Sequence, residues 1–163
     1  MEEIIDYVDE KDNVLGCALK HEVKQKKLNY RSVHIYIFNK NHELLICKRP
    51  GSKESYPNQW TSAAGGHVKA GESYKDAAAR ELQEELGINV PLKKLFKLKY
   101  IHPRGNVVFI ELWGGLCEEH FVFDKTEIVQ HKFILIPRLK SEIKQNSTAF
   151  VDPFLKLFEK FIK

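Results

Sequence analysis

Cysteine is scarce in this chain. Its three cysteines, Cys17, Cys47 and Cys117, are widely spaced. They form no CxxC pair, and their odd number argues against a disulfide framework. Buried free thiols in a reducing, cytoplasmic setting are the expectation. Long apolar runs are also missing. None approaches the ~18 residues of a transmembrane helix, so no membrane partner is expected. The first ten residues, MEEIIDYVDE, are acidic and do not read as a signal or transit peptide. No arginine-rich arm or aromatic-interleaved basic strip is present, which sets nucleic acid aside as a partner. Repeats and low-complexity tracts are absent as well.

What is present suits one globular domain over residues 1–163. The chain has 163 residues, 43% of them hydrophobic, enough for a sizeable core. The formal net charge is +4. A mildly positive balance suits a protein that draws in polyphosphates.

The pattern of elements divides the chain into an N-terminal hairpin, residues 1–29, and a core, residues 30–163. Ile4–Val8 and Val14–Leu19 flank the turn-forming Asp9–Asn13, and His21–Lys27 reads as a short helix or loop. Val33–Phe38 and Glu43–Arg49 read as strands, and Pro50-Gly51-Ser52 ends the second. Trp60–Val68 is extended. Tyr74–Leu86 is predicted as a helix with Ser73 as N-cap, Asp76 closing a capping box and Gly87 as the left-handed stop. Its apolar positions Ala77, Ala78, Leu82 and Leu86 suit packing on a sheet. Leu95–Ile101, Asn106–Cys117 and Glu127–Ile136 follow as strands. Pro137–Lys144 and Pro153–Ile162 follow as helices, the second capped by Asp152 with Pro153 at its first position. Strands before, between and after helices make no regular βαβ alternation. An α+β fold follows, with a mixed sheet between helical layers.

The chemistry concentrates in residues 66–88, GHVKAGESYKDAAARELQEELGI. Glu81, Glu84 and Glu85 stand at i, i+3 and i+4 of the predicted helix, with Cβ atoms roughly 5–6 Å apart. At ~5 Å and an effective dielectric of ~20, each such pair costs about 3 kcal/mol. A surface helix gains nothing from that cluster. A hard divalent cation resolves it, because Mg²⁺ or Mn²⁺ prefers carboxylate oxygens and completes its shell with phosphates and water.

This segment resembles the Nudix box, G-x5-E-x7-R-E-U-x-E-E-x-G-U, where U is a bulky aliphatic residue. Gly66, Glu72, Arg80, Glu81, Leu82, Glu84, Glu85, Gly87 and Ile88 meet every constrained position. The resemblance implies an α/β/α sandwich and Mg²⁺-dependent hydrolysis (Mn²⁺ substituting) of a diphosphate in a small molecule, often nucleoside-linked. It implies Glu81, Glu84, Glu85 and the Gly65 carbonyl as metal ligands. Arg80 would orient the glutamates, and Glu72 would brace loop and helix. Glu84 is the first choice of general base, with Glu118, Glu119 and Glu127 as candidates outside the box. A homodimer is expected by the same analogy, with the N-terminal hairpin contributing.

VDEKDNVLG, Arg31–Asn39, LLICKRPGSK and PNQWTSAAGGHV look like the Nudix branch related to isopentenyl-diphosphate isomerase. By that likeness Arg49 and Lys53 contact the diphosphate, as a planar fork and a point charge. His67 matches an isomerase metal ligand and is either a site residue or a structural one. The isomerase cysteine, however, falls on Gly65, the second metal histidine near Tyr30, and the later glutamate pair has no clear match in GNVVFIELW. Isomerase chemistry would therefore need Cys47 or Cys117 to reach the site. An isomerase-like frame with hydrolase chemistry is the leading expectation, with isomerase and non-catalytic nucleotide-binding module as alternatives. Tyr56, Trp113 and His102 are candidates for a pocket lining but read more readily as packing. Trp60 reads as a core or loop anchor.

Overall fold

A computed structural model describes all 163 residues. The elements are β1 (Ile4–Val8), β2 (Val14–Leu19), α1 (Lys20–Gln25), β3 (Asn29–Phe38), β4 (Leu44–Lys48), β5 (Trp60–Thr61), β6 (Ala64–His67), α2 (Tyr74–Leu86), β7 (Lys93–Ile101), β8 (Val107–Leu116), β9 (Gln130–Ile134), α3 (Ile136–Gln145) and α4 (Asp152–Phe161), with a 3-10 turn at Ser147–Ala149.

One mixed sheet of nine strands organises them around β3. β3 runs parallel to β8 from Tyr30↔Val108 to Phe38↔Leu116 and antiparallel to β6 over Ser32–Ile35. Its pairing with β4 is confined to Phe38↔Leu44, next to their turn. Beyond it β4 takes β5 and β9 as partners. The sheet thus splays where β3 and β4 part.

Period-two alternation along β3 feeds two cores. Val33, Ile35 and Ile37 face α2 and pack with Ala77, Ala78, Leu82 and Leu86. Tyr36 faces the other way, onto Phe154, Leu157 and Phe158 of α4 and Leu139 of α3. Helices therefore cover both faces, and the fold is an α/β/α sandwich. No helix is long and apolar enough to cross a membrane.

Local signals set α2 as its residues predict. Asp76 N–H donates to Ser73 Oγ at 3.1 Å, and Gly87 closes the helix at φ 66°. The capping box is only half formed: the Asp76 carboxylate accepts the Ser73 hydroxyl at 2.8 Å, not the cap's backbone N–H. The N-terminal hairpin is tied to the core through Asp12. Its carboxylate accepts from Arg31 Nε at 2.6 Å and from the Tyr74 hydroxyl at 2.9 Å.

Three expectations shift. The strand predicted over 127–136 covers only Gln130–Ile134. Asp124 Oδ1 accepts from the Thr126 amide and hydroxyl, and the Asp124 carbonyl accepts from the amides of Glu127 and Ile128, so Glu127 sits in a turn. In α4, Val151 is the cap and Asp152 lies inside the first turn, where its carboxylate accepts the Tyr100 hydroxyl at 2.5 Å. Of the three thiols, Cys47 and Cys117 are buried, but Cys17 is exposed.

Candidate active site

A cleft of about 490 Å³ opens where β3 and β4 diverge. Tyr30, Ser32 and His34 of β3 line one wall, and Cys47 and Lys48 of β4, with Arg49 just after it, line another. β6 brings Gly65, Gly66 and His67, and α2 brings Glu81, Glu84 and Glu85. The continuous stretch from β6 to α2 thus carries its acidic residues to one end of the cavity.

Arg80 organises that end. Its Nε and Nη2 donate to Glu72 at 2.8 and 2.9 Å, Nη1 donates to Glu81 at 2.6 Å and to Glu84 at 3.2 Å, and Nη2 also donates to the His67 carbonyl at 3.0 Å. Glu72 in turn accepts the Lys69 amide at 2.9 Å. Burial pushes the Glu72 carboxyl up, but Arg80 and the Lys69 amide outweigh it and leave it below its usual range. Glu81 behaves differently. Its burial exceeds what Arg80 restores, so its carboxyl stays raised. It also lies directly over Gly66: a Cβ there would stand 2.2 Å from Glu81 Oε1. Glycine at 66 is what lets the loop pass over this carboxylate.

Glu85 makes no ion pair. Burial, then the charges of Glu81 and Glu127, push its carboxyl well above the usual range, and a backbone hydrogen bond with Gly65 opposes this only in part. Glu85 is half-buried and lines the cleft. Glu84 is exposed at the cavity edge, with Lys69 Nζ 3.9 Å away.

As placed, these side chains do not close into a ready-made set of three donors. Arg80 neutralises two of the three glutamates, which explains why the like-charged face is tolerated. The donor set nevertheless fits a hard divalent cation. Two raised carboxyls share one end of a concave site, and one of them lacks any cationic partner.

Arg49, Lys53 and His67 all line the cavity. Arg49 donates Nε and Nη2 to the Ser55 carbonyl at 3.2 and 3.0 Å. Lys53 Nζ pairs with Glu127 at 2.5 Å. His67 stacks on Tyr30, centroids 5.2 Å apart, and burial followed by nearby cations holds its ring well below its ordinary range, hence neutral. Of the carboxylates proposed outside the box, Glu127 reaches the cleft. Glu118 does not; it accepts the Lys40 amide at the β3–β4 turn, and Glu119 is exposed beyond the lining. Tyr56 and His102 line the cavity, whereas Trp113 is buried in the core under α2. Trp60 sits on β5 beneath Lys132, 5.0 Å from its ring centre, and lies outside the lining.

His34, Ser62, Lys24 and Arg104 belong to the lining but carry no sequence signature of their own. His34 Nδ1 lies 2.7 Å from Ser62 Oγ, and burial pulls its pKa down to about 4. The polar alternation Tyr30, Ser32, His34 against apolar Val33, Ile35, Ile37 was the readable hint.

Comparison with known proteins identifies the family. The family model of the NUDIX domain matches residues 28–153. The chain belongs to the Nudix family. With the box intact, it is a Nudix pyrophosphohydrolase. An uncharacterised Nudix hydrolase of Pseudomonas aeruginosa is 36% identical over 132 residues, 81% of this chain and 78% of the relative. Isopentenyl-diphosphate Delta-isomerase 2 of Photorhabdus laumondii is 30% identical over 162 residues, 96% of this chain and 91% of the relative. A prenyl-diphosphate phosphatase of Methanosarcina mazei is 34% identical over 116 residues, 71% and 67% of the two chains. In fold, the crystal structure of DR0079 from Deinococcus radiodurans superposes with a TM-score of 0.84 at 24% identity, covering 97% of this chain and 98% of that one. The isomerase-like frame expected from residues outside the box is thus shared with relatives of more than one name.

Proposed function

We propose that this protein hydrolyses a diphosphate linkage in a small molecule, with Mg²⁺ as cofactor and Mn²⁺ as a substitute. The observation that carries the reading is the convergence of the box carboxylates, Glu81, Glu84 and Glu85, with Arg49 and Lys53 on one cleft. Glu81, Glu85, Glu84 and the Gly65 carbonyl would hold the cation. When bound, it neutralises phosphate oxygens and lowers the pKa of water. Arg80 keeps Glu81 and Glu84 aimed at the cleft, and Glu72 keeps Arg80 in place. Arg49 and Lys53 contact the diphosphate. Glu84 takes the proton of the attacking water, because it is the exposed carboxylate of the three and is held only by Arg80 at 3.2 Å and Lys69 at 3.9 Å. Glu127, paired with Lys53, is the alternative base. A nucleoside-linked diphosphate is the expected substrate class, and prenyl diphosphates are the class suggested by the archaeal relative. Three free cysteines suit a reducing compartment such as the cytoplasm. Self-association through β2, an edge strand with Val14 and Leu15 exposed, belongs to the same reading.

One observation favours isomerisation as a second reading: Cys47 does reach the cavity, with burial and then Glu85 keeping its thiol protonated. Against it, the isomerase cysteine position is closed. A Cβ at Gly65 would stand 2.8 Å from the Val33 carbonyl, so β6 lies too close to β3 for a side chain there. The deciding experiment measures phosphate and nucleotide release with Mg²⁺ across a panel of diphosphates that includes isopentenyl diphosphate, with Glu84→Gln in parallel. Release that vanishes in the variant supports hydrolysis. Allylic product without release, lost in Cys47→Ala, supports isomerisation.

A further inference from the structure

The cleft has a cationic side that the hydrolytic reading uses only in part. Lys24 of α1, Arg49 at the end of β4 and Arg104 in the β7–β8 turn all line it. Of the other lining cations, Lys20 pairs with Glu3 at 3.2 Å and Lys53 with Glu127 at 2.5 Å, while Lys48 Nζ lies 6.0 Å from the Trp60 ring centre. Lys24 and Arg104 donate no side-chain hydrogen bond and make no ion pair, and Arg49 spends only Nε and Nη2, both on one carbonyl. Glu54 lines the same cavity beyond pairing distance and offsets them only partly.

Two asparagine side chains bonded to backbone hold this group together. Asn106 Nδ2 donates to the Leu28 carbonyl at 3.1 Å, and Asn29 Oδ1 accepts the Val107 amide at 2.8 Å. Those two bonds clasp the turn bearing Arg104 to the junction between α1 and β3. Within that turn His102 N–H donates to Asn106 O at 2.9 Å and Gly105 N–H to His102 O at 2.8 Å. Val23, fully buried, anchors the helix that bears Lys24. Burial, then Lys20, with Arg104 and Arg49 adding, holds the Lys24 ammonium below its ordinary range. The charge of Arg49 acts on Glu85 and His67 as well as on Lys24, and all four line the same cavity. Unpaired cations gathered in a concave site are unfavourable unless an anion joins them.

We propose that Lys24 and Arg104 form a second anion subsite beyond Arg49, which takes a further phosphoryl group of the substrate. The inference rests on the hydrolytic reading of the same cleft and narrows it: the substrate carries at least one phosphoryl group more than the scissile pair.

The test is run without metal, in EDTA at physiological ionic strength, so that it does not depend on turnover. Calorimetry compares inorganic tripolyphosphate with pyrophosphate. The wild-type protein binds tripolyphosphate about tenfold more tightly, the worth of one or two charge-assisted contacts. The Lys24→Gln/Arg104→Gln double variant loses that preference, whereas the charge-keeping Lys24→Arg/Arg104→Lys pair and the remote Lys140→Gln variant keep it. A thermal melt establishes that the double variant is folded. Absence of the preference in the wild type, or its survival in the folded double variant, overturns the subsite. Turnover separates the two readings: a wild-type protein that shows the preference but releases nothing from the diphosphate panel with Mg²⁺ sinks the hydrolytic reading while the subsite stands.

Discussion

The carboxylate end of the cleft comes from one contiguous segment, residues 66–88, whereas its cationic side takes Lys24 from α1, Arg49 from the end of β4 and Arg104 from the β7–β8 turn. The first is held by side chains reaching each other across a single loop–helix unit, with Arg80 at the centre. The second is held by strand pairing and by two asparagine side chains, Asn29 and Asn106, bonded to backbone of the neighbouring segment. Local construction makes the acidic end self-supporting, and it carries the compensating charge within itself. The cationic side has only Glu54, beyond pairing distance, as counter-charge, so most of its neutralisation is left to something bound.

Breaking the acidic end should give the largest effect. Glu84→Gln is expected to lower kcat by about 10²–10⁴-fold, the usual contribution of a positioned base, with little change in thermal midpoint. A kinetic assay of the purified variant checks both parts. Arg80→Ala tests the claim of self-support. It leaves the buried Glu81 without its cation and should cost about 3–5 kcal/mol in chemical denaturation. A loss below about 1 kcal/mol, the level of an exposed pair, would mean that Arg80 is no centre at all.

The wall between the two ends is probed by pH. His34 titrates at about 4 in the fold instead of 6.5. The unfolded chain therefore binds more protons between those values, and stability rises with pH across that window and is lost as pH falls through it. His34→Asn should flatten the slope, removing on the order of 1–3 kcal/mol of pH-dependent stability, as read from denaturation midpoints between pH 4 and pH 7. The smallest expected effect is at the helix stop. Gly87 has φ 66°, and a Cβ there would come within 3.0 Å of Val122 Cβ. Gly87→Ala should cost about 1–2 kcal/mol and leave the affinity of the cationic side for tripolyphosphate untouched.

These contrasts also explain what could be read early. The bounds of β1, β2 and α2 were legible because turn and cap residues act over three or four positions: Asp9–Asn13, Ser73 and Gly87 need no distant partner. Glu127 was misplaced into a strand because the Asp124–Thr126 turn competes locally with a β-prone run. Trp113 was open as a lining residue because period two says which face it takes, not which core lies there. Cys47 reaches the cleft because β4 diverges from β3, and no spacing records that divergence. His34, Lys24 and Arg104 look like ordinary polar positions on a strand, a helix and a turn.

Residues 66–88 alone dictate the helix, its stop and the row of carboxylates, since spacing along one helix is set by covalent geometry and caps. The same residues carry the family resemblance. Whether those carboxylates find a counter-charge, which thiol meets the cavity and which cations remain unpaired depends on chain segments far apart in order. Burial and pairing are properties of neighbours in space, so only the packed sheet, splayed between β3 and β4, could decide them.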